Sequence, residues 1–199
     1  MKSKYVNVLF LVVLALMLSI PSVFQAQSKF GIRAGLNATN ISFDLLPDRS
    51  ERIGYHVGFF ADVPVLPDFL SVQPELSYSV QGAAFKPLDV ERQQFKMDYV
   101  DFLLPVAFKL GSIDVQVGPF ASYLISTPDY TVYNETTIIT DAFSKIDAGL
   151  TGGLSYNFNN LLIGVRYNQG FIDVTKDSSR PFLGSGKNAV GQVSLGYRF

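Results

Sequence analysis

Strict alternation of apolar and polar side chains, repeated along almost the whole chain, is the feature that most limits how this sequence can fold. In the stretch FGIRAGLNA, Phe30, Ile32 and Leu36 fall on one face. Arg33 and Asn37 fall on the other. A period of two residues indicates β-strands whose two faces meet different environments. The same pattern occurs in eight segments, at residues 30–38, 53–63, 70–81, 99–109, 113–123, 146–158, 161–171 and 190–199.

The connections between these segments alternate between short and long. The short ones lie at residues 64–68, 110–112 and 159–160, and the long ones at residues 42–52, 83–94, 126–145 and 173–187. Each segment is also long enough to cross a bilayer, because a tilted strand does so in roughly 9–11 residues. Short turns on one rim and long loops on the other are typical of outer-membrane barrels. The pattern predicts an all-β fold, an eight-stranded antiparallel up-and-down transmembrane β-barrel with both termini on the periplasmic, short-turn side.

A soluble barrel that carries a ligand has the same alternation with its apolar face turned inward. Other features must therefore show whether the apolar face of this chain contacts lipid outside the barrel or a ligand inside it. The polar face holds mainly Gly, Ser, Thr and Gln, whereas a wall facing water usually carries more charge. The chain also ends on Phe199, which would fray in water. Aromatic residues of the apolar face gather near both strand ends, as expected at two membrane interfaces. The predicted aromatic belts are Phe30, Phe108, Tyr156, Phe158, Tyr197 and Phe199 at the short-turn rim, and Tyr55, Tyr78, Tyr123, Tyr167 and Phe171 at the long-loop rim.

The first residues predict export from the cytoplasm. Lys2 and Lys4 precede an apolar run from residue 6 to residue 20, and small and polar residues follow, which is the layout of a secretory signal peptide. We therefore predict a signal peptide over residues 1–26 and an outer-membrane β-barrel domain over residues 27–199. The alternative is a retained membrane anchor, although the run is shorter than the roughly 20 residues that a spanning helix needs.

Composition argues against several classes of function. A formal net charge of −1 gives no basic surface for nucleic acid. The sequence has no cysteine, and therefore no disulfide framework, no thiolate nucleophile and no lipoprotein anchor. With a single histidine and scattered carboxylates, it predicts no metal site and no cofactor.

Five short motifs carry a resemblance to a known family. GIRAGLN opens the first segment, YVDFLLPVAFK forms the fourth, VGPF lies in the fifth, IGVRY in the seventh, and LGYRF ends the chain. In this order and spacing they resemble the PorT-like outer-membrane β-barrel family of Bacteroidetes-type bacteria, across nearly all of the mature chain. Asp101 departs from that family, in which glutamate is more usual. The resemblance implies an eight-stranded outer-membrane barrel and suggests a link to protein secretion, but it implies no single activity.

The polar face carries charges of both signs in nearly equal number. An eight-stranded barrel has an interior just wide enough for side chains to fill, and isolated charges there would be costly. We therefore predict a structural polar network that fills the lumen, with a conducting pore as the alternative. Its members are Arg33, His56, Asp62, Glu75, Asp101, Lys109, Asp114, Asp147, Arg166 and Arg198.

His56 is the only histidine, and we predict that it faces the lumen near the long-loop rim. A surface hydrolase or acyltransferase would need such a base beside a carboxylate or a serine. Asp44, Asp48, Glu51 and Ser79 are the candidate partners, but no spacing singles out any of them. We therefore predict no catalytic residues.

The expected partners are outer-membrane lipid, the barrel-assembly machinery, and a protein bound at the extracellular loops. Residues 126–145 have β-branched runs on both sides of Asn134, which suit a projecting hairpin. An exposed strand edge can bind an extended partner. The sequence thus favours a small non-enzymatic outer-membrane barrel that acts structurally or through loop or periplasmic-rim contacts. The alternatives are an outer-membrane surface enzyme and a soluble secreted ligand-binding barrel.

Overall fold

A computed structural model describes residues 28–43, 49–50, 52–85, 93–126, 131–132, 135–136, 144–173 and 186–199. Almost all of these residues lie in β-strands. No helix in the described ranges is both long and apolar enough to cross a membrane. The predicted signal peptide, residues 1–26, and much of the four long connections lie outside the described residues.

Eight antiparallel strands form at the eight alternating segments, which confirms the predicted fold class. They are β1 (Lys29–Phe43), β2 (Arg52–Leu66), β3 (Leu70–Val72 and Glu75–Phe85), β4 (Gln93–Leu103 and Val106–Leu110), β5 (Ile113–Ser126), β6 (Ile146–Phe158), β7 (Leu161–Gly170) and β8 (Gly186–Arg198). Arg49–Ser50 adds a short piece that pairs with the end of β3. Thr131–Val132 pairs with Glu135–Thr136, inside the segment for which we predicted a hairpin.

Pairing of the last strand with the first closes the sheet. The β1–β8 ladder runs from Gly31 opposite Arg198 to Phe43 opposite Gly186. One residue further, the backbone N–H of Phe199 donates to the backbone oxygen of Phe30 at 2.8 Å. Every other strand pairs with its neighbours in sequence, so the topology is up-and-down. Closure removes the free edges that an open sheet would expose.

Two prolines divide β3 and β4 without opening the barrel. Pro74 and Pro105 have no N–H to donate, so each removes one ladder hydrogen bond. Their carbonyls still accept hydrogen bonds, from the N–H of Ala61 at 3.0 Å and from the N–H of Gln73 at 2.8 Å, respectively. The two parts of each strand therefore remain in the same wall.

Side-chain burial alternates along the strands, with the apolar face outward and the polar face inward. In β7, Ile163 and Val165 are about half exposed, whereas Arg166 and Asn168 are buried. This orientation is the reverse of that in a soluble barrel with an apolar pocket. The alternative of a soluble ligand-binding barrel is therefore wrong.

The aromatic residues predicted to form two belts all lie on the outward face. Ten of them are exposed and Tyr78 is partly buried, with its ring 6.2 Å from that of Tyr55. Phe69, in the turn between β2 and β3, is an additional exposed ring at the short-turn rim and lies 6.2 Å from Phe108. Alternation does not extend into a turn, so the pattern does not predict this ring. The role of these rings at the membrane interfaces stays a prediction.

Val80 departs from the alternation. The pattern places it on the outward face, but its side chain is only 2% exposed. The β2–β3 ladder ends at His56 opposite Ser79, and β3 then packs over the lumen side of β1. There the hydroxyl of Thr39 donates to the backbone oxygen of Gly82 at 2.7 Å. Gly82 has φ of 140°, a conformation that glycine adopts far more readily than other residues.

We predict that replacing Val165 with arginine destabilises the barrel in lipid by about 2–4 kcal/mol, the usual cost of a cation on the lipid face at mid-bilayer. The measurement is the free energy of unfolding by denaturant in lipid vesicles. Ser155→Ala, on the lumen face of the neighbouring strand, is the control and should cost much less. Equal costs for the two variants would contradict the assignment of the faces.

We also predict that deleting Phe199 slows assembly of the barrel, because the hydrogen bond from Phe199 to Phe30 extends the closing ladder. The measurement is the fraction of protein that shows heat-modifiable gel mobility over time, in vesicles and in cells. Phe199→Tyr retains the backbone bond and an aromatic ring, and should assemble at the normal rate. Normal assembly of the deletion variant would contradict this role of the terminal residue.

Candidate functional site

The polar lumen is the candidate functional site, because the inward faces of all eight strands converge on it. Its centre is Glu75, which is 2% exposed and forms ion pairs with two arginines. Glu75 Oε2 lies 2.6 Å from Arg33 Nη1 and 3.1 Å from both Nη1 and Nη2 of Arg166. Arg33 also lies over the ring of Phe60, 4.9 Å from its centroid. One carboxylate thus joins strands on opposite sides of the barrel.

Two glutamines extend this central cluster across the lumen. Arg166 donates to Oε1 of Gln116 at 3.2 Å. The amide of Gln116 donates in turn to Oε1 of Gln73 at 3.0 Å and to the hydroxyl of Ser155 at 3.2 Å. The chain of hydrogen bonds therefore connects β3, β5, β6 and β7 through the interior.

A second ionic cluster lies toward the short-turn rim, around Asp62. The ammonium of Lys109 is 3.1 Å from Asp62 Oδ2, and the guanidinium of Arg198 is 3.5 Å from the same oxygen. Arg198 also lies 4.0 Å from Asp114 and donates to Asn157 at 3.2 Å. This cluster gives each of its two carboxylates at least one cation.

Among the described residues, His56 takes part in a hydrogen-bond network of amide and hydroxyl side chains. It is 2% exposed, and its Nδ1 lies 2.7 Å from Oδ1 of Asn37. The Asn37 amide donates to the hydroxyl of Ser79 at 3.0 Å, and Gln192 donates to Asn37 Oδ1 at 3.0 Å. Ser79, one of the four partners considered for His56, is thus held by an amide. Asp44, Asp48 and Glu51 lie outside the described residues.

Asp101 and Asp147 lie toward the long-connection rim, apart from the two ionic clusters. They are 3% and 1% exposed. Gln81 donates to Oδ2 of Asp101 at 3.3 Å, and Asn188 donates to Oε1 of Gln81 at 3.0 Å. Within the described part of the chain, neither aspartate has an ion-pair partner.

The structure thus brings most of the predicted lumen residues together in clusters, but it links them through amide side chains that are not among the residues predicted from the sequence. Asn37, Gln73, Gln81 and Gln116 are nearly fully buried and bridge between strands. Their inward positions in the alternating pattern are the feature of the sequence from which their place in the lumen could have been predicted. No three His, Cys, Asp or Glu side chains in the described ranges are grouped so as to hold a metal ion.

A closed antiparallel barrel with an apolar outer face and a polar interior defines the class of small outer-membrane barrels. A family model described as an outer membrane protein beta-barrel domain matches residues 25–176. The match covers well over half of the chain, so the chain belongs to this family and its place is the bacterial outer membrane.

Two solved structures show the same fold. Neisserial surface protein A is 16% identical, with 85% of this chain and 97% of that chain covered and a TM-score of 0.54. Ail, the attachment invasion locus protein of Yersinia pestis, solved with the heparin analogue sucrose octasulfate, is 14% identical. The alignment with Ail covers 86% of this chain and 99% of that chain, with a TM-score of 0.50. No curated protein matches the sequence.

We predict that Glu75→Gln destabilises the barrel by about 3–5 kcal/mol, because it leaves two buried arginines without their carboxylate. The measurement is again the free energy of unfolding in lipid vesicles. Lys96→Met is the control, because it removes a pair whose lysine is 54% exposed, and water screens the charges of such a pair, so its loss should cost far less. Similar losses for both variants would contradict a central role for Glu75.

Proposed function

We propose that this protein is a non-conducting, non-enzymatic barrel that acts through its two rims rather than through its lumen. The observation that carries the proposal is the ion-paired cluster of Glu75, Arg33 and Arg166 across the interior. Eight strands leave an interior just wide enough for side chains to fill, whereas porins of about 16–18 strands leave an aqueous channel. The glutamine bridges through Gln116 fill further space at the same level.

The burial of His56 supports a non-enzymatic role. Its ring is 2% exposed and is engaged by Asn37, so a substrate at the membrane surface has no access to it. A general base must come within hydrogen-bond reach of the proton that it removes. His56 is the only histidine in the sequence, so a surface hydrolase or acyltransferase with a histidine base would have to use it.

We assign the long connections to the extracellular side and the short turns, with Phe199, to the periplasmic side. This orientation follows the usual asymmetry of bacterial barrels. The outward aromatic residues would then contact lipid at both interfaces, and the C-terminal strand would be presented to the barrel-assembly machinery. The hairpin that includes Thr131–Val132 and Glu135–Thr136 offers strand edges to a protein partner.

The nature of the partner follows from the charges of the extracellular connections. Ail was solved with a heparin analogue, which is a polyanion. In this chain, the four long connections, at residues 42–52, 83–94, 126–145 and 173–187, together hold ten acidic and eight basic residues, and the acidic excess is largest at residues 126–145. The connections therefore carry no overall basic excess to attract a polyanion, so a protein is a better candidate partner than a sulfated polysaccharide. The resemblance to PorT-like barrels makes a component of a protein-secretion system the specific candidate.

The proposal predicts that the purified protein conducts no ions across a planar lipid bilayer, because its lumen is filled by side chains. The measurement is single-channel current, with a 16-stranded porin in the same bilayer as positive control. A triple variant with alanine at Glu75, Arg33 and Arg166 should give small current steps if these side chains block the path. Stable channels from the unmodified protein would contradict the proposed function.

A further inference from the structure

The outward face of the barrel has a groove where β1 presents a small residue among large ones. Ala34 is exposed and lies opposite Val57 on β2 and Leu195 on β8. Ile32 and Tyr197, which are opposite each other, form the next pair toward the short-turn rim. These side chains surround the methyl group of Ala34 and enclose about 210 Å³. We call this depression the Ala34 groove.

A polar pocket lies at the short-turn end of the Ala34 groove. Its lining residues are Lys29, Asn159, Asn160, Arg198 and Phe199. It encloses about 120 Å³, and we call it the Lys29 pocket. The groove and the pocket are adjacent, because Asn160 and Arg198 are bonded to Leu161 and Tyr197, which both line the groove. A polar end at the rim and an apolar end toward the membrane centre match the order of headgroup and acyl chain in a phospholipid.

Backbone and amide hydrogen bonds fix the shape of the Lys29 pocket. The side-chain amide of Asn160 donates to the backbone oxygen of Arg198 at 2.7 Å. The backbone N–H of Arg198 donates in return to the backbone oxygen of Asn160 at 2.7 Å. These bonds join the β6–β7 turn to the end of β8, and the bond from Phe199 to Phe30 joins β8 to β1. The pocket is therefore preformed, which lowers the cost of binding a ligand there.

Lys29 gives the pocket a positive charge. It is exposed, and it forms no ion pair with any residue of the described ranges. Asp62, opposite Lys29 in the β1–β2 ladder, lies instead 3.1 Å from Lys109 and 3.5 Å from Arg198. No acidic side chain lines the pocket. A lysine ammonium binds phosphate as a point charge, and asparagine amides donate hydrogen bonds, so the pocket suits a phosphate group.

The width of the groove suits an acyl chain. Ile32 and Leu36 flank Ala34 along β1 and are 45% and 62% exposed, so the depression is one side chain wide on this strand. A flexible hydrocarbon chain can fill such a depression, whereas a second barrel would present a broad convex surface to it. The groove also lies on the face that contacts lipid.

We propose that the Ala34 groove and the Lys29 pocket together bind one anionic glycerophospholipid. An acyl chain lies over Ala34, and the phosphate lies beside Lys29. Anionic lipid is attracted to basic residues at a membrane surface, which agrees with the charge of the pocket. The assignment to the periplasmic leaflet rests on the orientation proposed above, in which the short turns face the periplasm.

The test measures lipid binding to the refolded mature barrel in a neutral detergent, by native mass spectrometry and by the unfolding temperature. The probes are dioleoyl-phosphatidylglycerol, which is anionic, dioleoyl-phosphatidylcholine, which has no net charge, and dioleoylglycerol, which has no phosphate. We expect phosphatidylglycerol to saturate at one molecule per barrel and to raise the unfolding temperature. Phosphatidylcholine should bind more weakly, and dioleoylglycerol most weakly.

One pair of variants tests the charge. Lys29→Gln should weaken phosphatidylglycerol binding about fivefold, the usual contribution of one lysine near anionic lipid. Lys29→Arg keeps the charge and should bind as the unmodified protein does. Lys145→Gln is the control, because it removes an exposed lysine at the opposite rim and should leave binding unchanged.

A second pair of variants tests the groove. Ala34→Phe fills it and should abolish saturable binding of phosphatidylglycerol. Ala121→Phe, at another exposed outward alanine on β5, is the control and should bind normally. Heat-modifiable gel mobility shows which variants are folded, and only folded variants are compared. Lys29→Gln, at an exposed position, keeps the test decisive if Ala34→Phe does not fold.

The proposal is overturned if phosphatidylglycerol binding does not saturate, or if the three lipids bind equally, because the contact with lipid is then unspecific. It is also overturned if Lys29→Gln and Ala34→Phe both bind as the unmodified protein does, since the lipid then lies elsewhere. A dimer that forms in detergent, is lost in Ala34→Phe and binds no lipid would mean that a second copy covers the groove.

The orientation is tested separately in cells. Ser112 is exposed in the short turn between β4 and β5, and the sequence has no cysteine, so Ser112→Cys provides a single labelling site. A maleimide that does not cross the outer membrane should label it only after that membrane is permeabilised. Labelling in intact cells would overturn the orientation and the assignment to the periplasmic leaflet. Binding in detergent does not depend on orientation, so the two failures are distinguishable.

Discussion

The lipid core of a bilayer offers no hydrogen-bond partner to a peptide backbone, and the whole architecture depends on this constraint. A sheet satisfies it only when its first and last strands pair. The ladder between Gly31–Arg198 and Phe43–Gly186 meets this requirement, and the bond from Phe199 to Phe30 extends it to the last residue. Once the sheet is closed, every strand has one face toward lipid and one toward the lumen. Apolar and polar residues alternate in the sequence because successive side chains of a strand point alternately to the lipid face and to the lumen face.

Closure creates a second problem, because the inward face of a narrow barrel cannot be hydrated like a surface. Charged groups there need partners of opposite sign, and amides need complementary amides. Glu75 meets this need for Arg33 and Arg166, while Asp62 does so for Lys109. These contacts connect strands that are not neighbours in the sheet. The network therefore holds the wall in place from within, in addition to the ladder hydrogen bonds.

Strand positions, strand number and facing were predictable because alternation is a local property that a strand displays residue by residue. Phe199 was interpretable for the same reason, since a terminal aromatic residue continues the outward pattern. Val80 was not predictable, because its burial follows from β3 leaving the ladder with β2 and packing over β1, where the hydroxyl of Thr39 donates to the backbone oxygen of Gly82. The partners in each ion pair could not be predicted from the sequence either. Arg166 and Glu75 are separated by 91 residues, and only the barrel brings them together.

The sequence by itself thus determined the architecture, the solvent that each face meets and the absence of cysteine chemistry, because these depend on residue type and spacing. The tertiary structure determined which charged side chains form ion pairs, and it placed Asp101 and Asp147 apart from the two ionic clusters. Asp101 and Asp147 look like Asp62 and Asp114 in the sequence, as single acids on inward positions. The register of three strands sets them on either side of Ser122, where no described residue forms an ion pair with them, while the other two lie beside Lys109 and Arg198. Register is a property of paired strands, so no single strand carries the information that distinguishes these four acids.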